Sequence, residues 1–145
     1  MIGILIATHA NFGQGIINAV ELIAGKQENV KAVGLNHGDG IEVFEQKIAD
    51  SLKVLDQGAG VIVLCDFLGG SPANVVLNCL KKRKVPCLTG ANMPMAIEAF
   101  MGRNTTNVWD LAAKSFEAGK TGILSLNDIA EKVSDKEDID DCENF

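Results

Sequence analysis

The stretch Val61-Ile-Val-Leu-Cys-Asp-Phe-Leu-Gly-Gly-Ser-Pro72 contains the clearest strand signal in the sequence and the start of a helix. Its first five residues, 61–65, form a short continuous apolar run, which is typical of a strand buried on both faces. Ser71-Pro72 then has the form of a helix N-cap followed by proline at the first helical position. A buried strand that leads through a short loop into a helix indicates a β-α-β unit.

The same alternation of strand and helix continues on both sides of this stretch. Further strands are predicted at residues 2–7, 30–35, 85–89 and 122–126, and helices at 16–24, 41–55, 72–80, 94–101, 105–116 and 127–133. We expect Gly25 to end the first helix and Thr105 or Thr106 to cap the fifth. Such alternation predicts right-handed crossovers and a doubly wound α/β fold with a mainly parallel five-stranded sheet. The short chain favours the flavodoxin-like strand order over the larger dinucleotide-binding order.

The chain length of 145 residues fits one domain, which we place at residues 1–133. Residues 134–145 contain six acidic residues and one basic residue, so this segment has a net charge of −5. It has too little apolar surface to offset the entropy of ordering, and we expect an acidic, disordered tail.

The composition argues against several kinds of partner and site. The net charge of −6, the absence of Tyr and the aromatic content of 5% argue against nucleic-acid binding. The cysteines have no spacing typical of zinc ligands, so no metal site is predicted; they are Cys65, Cys79, Cys87 and Cys142. Residues 2–7 are too short for a signal-peptide core or a membrane span and lack a basic segment before them, so we expect a cytoplasmic location.

Two ionisable residues follow strands that the predicted order places side by side. His9 comes after the first strand and Asp66 after the third. In open α/β sheets, chemistry gathers beyond the carboxyl ends of the strands where the strand order reverses, so both side chains should meet in one crevice. A carboxylate beside an imidazole fixes the ring tautomer and leaves the other nitrogen free as a nucleophile.

Each of these residues also has a simpler interpretation. A single loop histidine is more often satisfied by backbone groups, but the strand-end position and the nearby Gly13 and Gly15 favour an anion site at His9. Asp66 could be a solvated acid. Ser71 could cap the following helix, which capping preferences favour, or donate to a phosphoryl oxygen.

Other catalytic and cofactor motifs are missing from the sequence. It contains no P-loop, no G-x-G-x-x-G and no G-x-S-x-G, and we expect no cofactor. Cys65 lies inside an apolar strand and is better explained by core packing than by nucleophilic chemistry. His37 is interpreted as a surface turn residue.

Three segments together resemble the mannose-type enzyme IIA of the bacterial sugar phosphotransferase system (PTS). They are residues 4–15, 63–74 and 89–95, in the order and spacing of that family. The resemblance implies that His9 accepts a phosphoryl group on Nε2 from the phosphocarrier protein HPr and passes it to an enzyme IIB, with Asp66 holding Nδ1. It also places Ser71, Gly70, Phe12 and Asn92 around the phosphoryl site.

The resemblance further implies a homodimer in which the fifth strand, at about 122–126, is exchanged antiparallel onto the sheet of the partner. Family members act in sugar uptake, so contact with the membrane would be indirect, through the transporter. The sequence departs from the family in having Ala7 and Ala10 where glycine is common, and the family often has alanine near Gly13. These single-methyl changes remove no catalytic group.

Three alternatives remain open from the sequence. One is the phosphocarrier subunit of a dihydroxyacetone kinase, although residues 69–72 fit the mannose type better. The second is a flavodoxin-like module that binds a ligand without chemistry, and the third is a regulatory protein in which phosphorylation of His9 is a signal.

Overall fold

The first strand, β1, lies in the middle of a parallel sheet in the computed structural model, which describes residues 1–134. The strands are β1 (Gly3–His9), β2 (Val30–Leu35), β3 (Val61–Cys65) and β4 (Cys87–Leu88). The helices are α1 (Phe12–Ala24), α2 (Ile41–Leu55), α3 (Ser71–Leu80), α4 (Met93–Gly102), α5 (Val108–Thr121) and α6 (Leu126–Ser134). The predicted acidic tail lies outside the described residues except for Ser134. Within residues 1–134, no helix combines the length and the apolar character needed to cross a membrane.

The strand order is β2-β1-β3-β4, and every strand pair is parallel. This order confirms the predicted arrangement in which the first and third strands are neighbours. The predicted number of strands is wrong, because residues 1–134 form four strands rather than five. Residues 122–126 contain no strand; Ile123 and Leu124 are 76% and 67% exposed. An apolar run becomes a strand only when another strand supplies hydrogen-bond partners, and within residues 1–134 this run pairs with no strand.

Alternate residues of the central strands pack into two cores on opposite faces of the sheet. Ile4 and Ile6 face α1, α4 and α5, whereas Leu5 and Ala7 face α2 and α3. All four side chains are fully buried. This alternation is the period-2 geometry of a strand with helices on both sides, and it explains why the sequence of β1 is continuously apolar.

Several element ends differ from the predictions. α1 begins at Phe12 rather than at the predicted residue 16, so the loop after β1 is shorter than expected. Gly70 rather than Ser71 is the N-cap of α3. Asn107 caps α5 by accepting a hydrogen bond from the Asp110 N–H, and this replaces the predicted threonine cap. Gly25 ends α1 with a φ of 83°, as predicted. Ile23 is 66% exposed, whereas the neighbouring Ala24 packs against the core, so Ile23 lies off the buried face of α1.

Candidate active site

The carboxyl ends of β1 and β3 bring His9 and Asp66 together. His9 is the last residue of β1, and Asp66 directly follows β3. Ala7 and Cys65 are paired in the register of these parallel strands, so the residues that follow them emerge at the same edge of the sheet. The predicted meeting of the two residues is therefore observed, although His9 belongs to the strand and not to the loop after it.

One carboxylate oxygen of Asp66 contacts both the ring and the backbone of His9. Asp66 Oδ2 lies 2.7 Å from His9 Nδ1 and accepts the His9 backbone N–H at 2.9 Å. Asp66 Oδ1 accepts the backbone N–H of Phe67 at 3.0 Å. Because a carboxylate only accepts hydrogen bonds, Nδ1 must carry the proton of the neutral ring, which leaves the lone pair on Nε2.

The environment of Asp66 favours its charged form. The side chain is 14% exposed. Burial by itself raises the pKa of Asp66, but hydrogen bonds from the His9 backbone and ring and from the Phe67 backbone outweigh it, and the pKa lies below its ordinary value. Asp66 therefore remains a carboxylate near neutral pH and orients the His9 ring.

Phe67 and Gly70 surround the Nε2 side of the ring. The rings of His9 and Phe67 are stacked, with centroids 5.3 Å apart and an angle of 23° between their planes. A Cβ atom at Gly70 would lie 2.5 Å from His9 Cε1 and 3.1 Å from Nε2, so any larger residue would force the ring or the start of α3 to move. Sequence reasoning gave Phe67 no role; its position next to Asp66 was the only available signal.

Thr8 fixes the turn that follows the histidine, and sequence reasoning missed this residue as well. Its hydroxyl donates to the His9 carbonyl at 3.1 Å and accepts the Gly13 N–H at 2.9 Å, which satisfies a donor in the first turn of α1. Thr8 is fully buried. Ala10 adopts a φ of 46°, a left-handed conformation that favours glycine, so the methyl group here is strained.

The remaining predicted site residues have no hydrogen bond to His9 or Asp66 in the described part of the chain. Ser71 is the exposed first residue of α3, and Phe12 is the first residue of α1, 51% exposed. Asn92 caps α4 by accepting the Met95 N–H at 3.0 Å and donates to the Gly119 carbonyl at 2.9 Å. Its loop is nevertheless adjacent to the site, since the Gly90 N–H donates to the Asp66 carbonyl at 3.0 Å.

Cys65 is part of the core next to the site. Its side chain is fully buried, and its sulfur lies 3.9 Å from that of Cys87. The hydrogen bond with Cys87 and burial both raise the pKa of Cys65, so the thiol stays protonated and is a poor nucleophile. Among residues 1–134, no three His, Cys, Asp or Glu side chains are grouped closely enough to hold a metal ion.

Sequence comparison relates the chain to PTS components. Residues 3–116 match the family described as PTS system fructose IIA component. The chain is 32% identical over 127 residues to the mannose-specific EIIAB component of Escherichia coli K12, an overlap of 86% of this chain and 39% of that protein. It therefore spans about two fifths of the length of that relative. It is 27% identical over 112 residues to the fructose-specific EIIA component of Bacillus subtilis, an overlap of 77% of each protein.

Solved structures show the same relationship in three dimensions. The PTS component EIIA from Streptococcus agalactiae superposes with a TM-score of 0.81 at 30% identity, over 88% of this chain and 98% of that one. The mannose/sorbose-specific IIA subunit from Enterococcus faecalis superposes with a TM-score of 0.76 at 25% identity, over 86% and 93% of the two chains. Because the family match covers most of the chain, this protein belongs to the fructose and mannose family of PTS IIA components.

Proposed function

We propose that this protein is a phosphocarrier of a sugar phosphotransferase system. His9 accepts a phosphoryl group from phospho-HPr on Nε2 and passes it to an enzyme IIB. The observation that carries the proposal is the contact between His9 Nδ1 and Asp66 Oδ2. It keeps the ring proton on Nδ1 and leaves Nε2 free as the nucleophile. The family membership supports the same role.

The proposed transfer needs no metal or cofactor and no proton transfer at His9. The Nε2 lone pair forms a bond to phosphorus, while the P–N bond of phospho-HPr breaks and its electron pair returns to the HPr histidine. The phosphorylated ring keeps its Nδ1 proton and gains imidazolium character, which the Asp66 carboxylate stabilises. Transfer to enzyme IIB reverses these steps with a nucleophile of that protein as the acceptor.

The N-terminus of α3 is proposed as the phosphoryl site. Gly70 lies against the Cε1–Nε2 edge of His9, and the first N–H groups of a helix have no partner inside it. These N–H groups and the helix dipole favour an anion at this position. The Ser71 hydroxyl is exposed in the first turn of α3, and we assign it as a further donor to the phosphoryl oxygens.

Exposed apolar side chains around the histidine form the proposed docking surface for HPr and enzyme IIB. Phe12, Phe67 and Leu68 are 51%, 53% and 70% exposed. Asn92 supports one side of this crevice by capping α4. A carrier that serves HPr and enzyme IIB works in the cytoplasm, and its contact with the membrane is indirect, through the transporter.

A homodimer is part of the proposal. β4 is an edge strand, and the apolar residues Ile123, Leu124 and Leu126 lie exposed after α5. Exchange of residues 122–126 onto β4 of a second copy would bury these side chains and pair the free edge of the sheet.

The phosphocarrier role is tested by incubating the protein with phosphoenolpyruvate, enzyme I and HPr. We expect intact-mass measurement to show one added phosphoryl group that is lost in acid. The His9→Ala variant should gain none, whereas His37→Ala, which removes the only other histidine, should be phosphorylated normally. Absence of the added mass while HPr itself is phosphorylated, or full phosphorylation of His9→Ala, would refute the proposal.

A further inference from the structure

A cleft of about 450 Å³ lies between α2 and α3, away from the His9 site. Its volume is within the range of about 300–1,000 Å³ that small-molecule sites occupy. None of the residues that line it belongs to the candidate active site. The cleft therefore offers a second binding site that the phosphocarrier mechanism does not use.

Three basic side chains line the cleft, and one of them has a buried donor without a partner. They are Lys53, Lys82 and Arg83. Arg83 Nη1 has no access to solvent and no hydrogen-bond partner in the described structure. No carboxylate of residues 1–134 lies within ion-pair distance of any of the three cations. Cations without a carboxylate partner favour an anionic ligand in the cleft, which the ammonium groups and the rest of the Arg83 guanidinium would contact.

The rest of the cleft supplies hydrogen-bond acceptors and an apolar wall. Glu42, Glu45 and Gln46, from the first half of α2, line the cleft together with Leu52 and Cys79. Burial and the Glu45 carboxylate raise the pKa of Cys79, while Lys82 opposes this effect, so the Cys79 thiol lies close to both charges. Carboxylates accept hydrogen bonds from hydroxyl groups and repel a second anion. The ligand should therefore carry a single anionic group together with hydroxyl groups.

We propose that this cleft binds a small phosphorylated polyol, such as a sugar phosphate. Its phosphate would contact Arg83 and Lys82, and its hydroxyl groups would donate to Glu45. Three neighbouring cations suit a phosphate dianion better than a single carboxylate, because the planar guanidinium binds two phosphate oxygens while the lysines supply further charge. The apolar wall of Leu52 and Cys79 would contact the carbon skeleton.

Isothermal titration with fructose 6-phosphate tests the proposal, with fructose and inorganic phosphate as comparison probes. We expect fructose 6-phosphate to bind with a Kd of roughly 1 mM or tighter. Inorganic phosphate should bind at least about tenfold more weakly, because it lacks the hydroxyl groups and the carbon skeleton. Fructose should show no binding, because it lacks the phosphate. Failure of fructose 6-phosphate to bind, or equal affinity for inorganic phosphate, would overturn the assignment.

Substitutions in the cleft locate the binding. Arg83→Gln and Lys82→Gln should each weaken fructose 6-phosphate binding about tenfold or more, because each removes a charged contact to the phosphate. Lys47→Gln is the matched control, since Lys47 is an exposed lysine on α2 that does not line the cleft. Glu45→Gln should weaken fructose 6-phosphate but not inorganic phosphate. Unchanged affinity in both Arg83→Gln and Lys82→Gln would contradict the proposal.

The test is independent of the phosphocarrier role. His9→Ala should bind fructose 6-phosphate with unchanged affinity, because His9 does not line the cleft. Urea unfolding of each variant verifies that a lost affinity is not caused by a lost fold. Lys82 is exposed, so its variant remains informative even where Arg83→Gln is unstable.

Discussion

Asp66 Oδ2 accepts hydrogen bonds from both the backbone N–H and the ring Nδ1 of His9, at 2.9 and 2.7 Å. A single oxygen thus fixes the end of β1 and the orientation of the imidazole in its last residue. The His9 side chain is 43% exposed, whereas that of Asp66 is 14% exposed. The ring is consequently open to a partner protein on one side and held by a charged, mostly buried group on the other.

Asp66→Ala should slow phosphoryl transfer from HPr by about 10- to 100-fold, the usual effect of removing a carboxylate that orients a functional histidine. Loss of the carboxylate frees the ring tautomer and removes the charge that stabilises the phosphorylated ring. Rapid-quench kinetics measure the transfer, and titration with unphosphorylated HPr should show unchanged docking. Asp50→Ala, at an exposed acid of α2, is the control. A normal transfer rate in Asp66→Ala would remove Asp66 from the mechanism.

The stability of the protein should depend on the charge of Asp66 in acid. The pKa of Asp66 is lower in the folded protein than its ordinary value of 3.8, so its contribution is fully present above that value and is lost as the pH falls through the folded pKa. We expect the free energy of unfolding of the wild type to exceed that of Asp66→Asn at about pH 6, and the difference to shrink at about pH 3. Denaturant titrations at the two pH values measure it. A difference that does not change with pH would contradict this cause.

Gly70→Ala should reduce phosphorylation by about 100-fold or more, because displacement of reacting groups by about 1 Å has effects of this size. The added Cβ would lie 2.5 Å from His9 Cε1, so the ring or the start of α3 must move. Intact mass over time gives the rate, and circular dichroism should show a retained fold. Gly15→Ala is the matched control, since a Cβ at this helical position of α1 has no neighbour within 4 Å. Equal rates for the two variants would show that the close packing at Gly70 is unimportant.

Phe67→Ala should shorten the lifetime of phosphorylated His9 by about 2- to 10-fold, the range expected for a lost aromatic contact. The stacked ring covers one face of the imidazole and favours its cationic character after phosphorylation. The lifetime is measured as the loss of the phosphoryl mass after removal of phosphoenolpyruvate. Leu68→Ala removes a neighbouring apolar side chain that is 70% exposed and should leave the lifetime unchanged. A wild-type lifetime in Phe67→Ala would assign Phe67 to partner docking alone.

Leu124→Lys should convert the proposed dimer into a monomer, because a charge would be buried where residues 122–126 pair with a second copy. Light scattering after size-exclusion chromatography measures the mass. Leu22→Lys is the control, since Leu22 is 89% exposed on α1 and is not part of this segment. A wild-type protein that is monomeric at all concentrations would refute the exchange of the strand.

The parts of the fold that depend on local sequence pattern were predictable. The apolar run of β3 and the helical stripe of α2 are confirmed at the predicted residues, 61–65 and 41–55. Burial on both faces requires a continuous apolar run, and a one-sided helix requires a 3.6-residue period; the short length of the β3 run and the glycines before it separate strand from helix. Helix ends were less predictable. Thr105, Thr106 and Asn107 are all suitable caps for α5, and local backbone geometry rather than residue type selects Asn107.

The sequence by itself determined the alternation of strands and helices and placed His9 and Asp66 at strand ends. The strand order that sets β1 beside β3 was favoured by the short chain and is fixed by the tertiary structure. Only the tertiary structure decided which neighbours enclose the ring. The stacking of Phe67, the close approach of Gly70 and the turn held by Thr8 depend on contacts at a few ångströms, which no residue spacing encodes. Residues 122–126 show the same limit. Their apolar pattern is compatible with a strand, but a strand forms only where the edge of a neighbouring strand lies within hydrogen-bond reach.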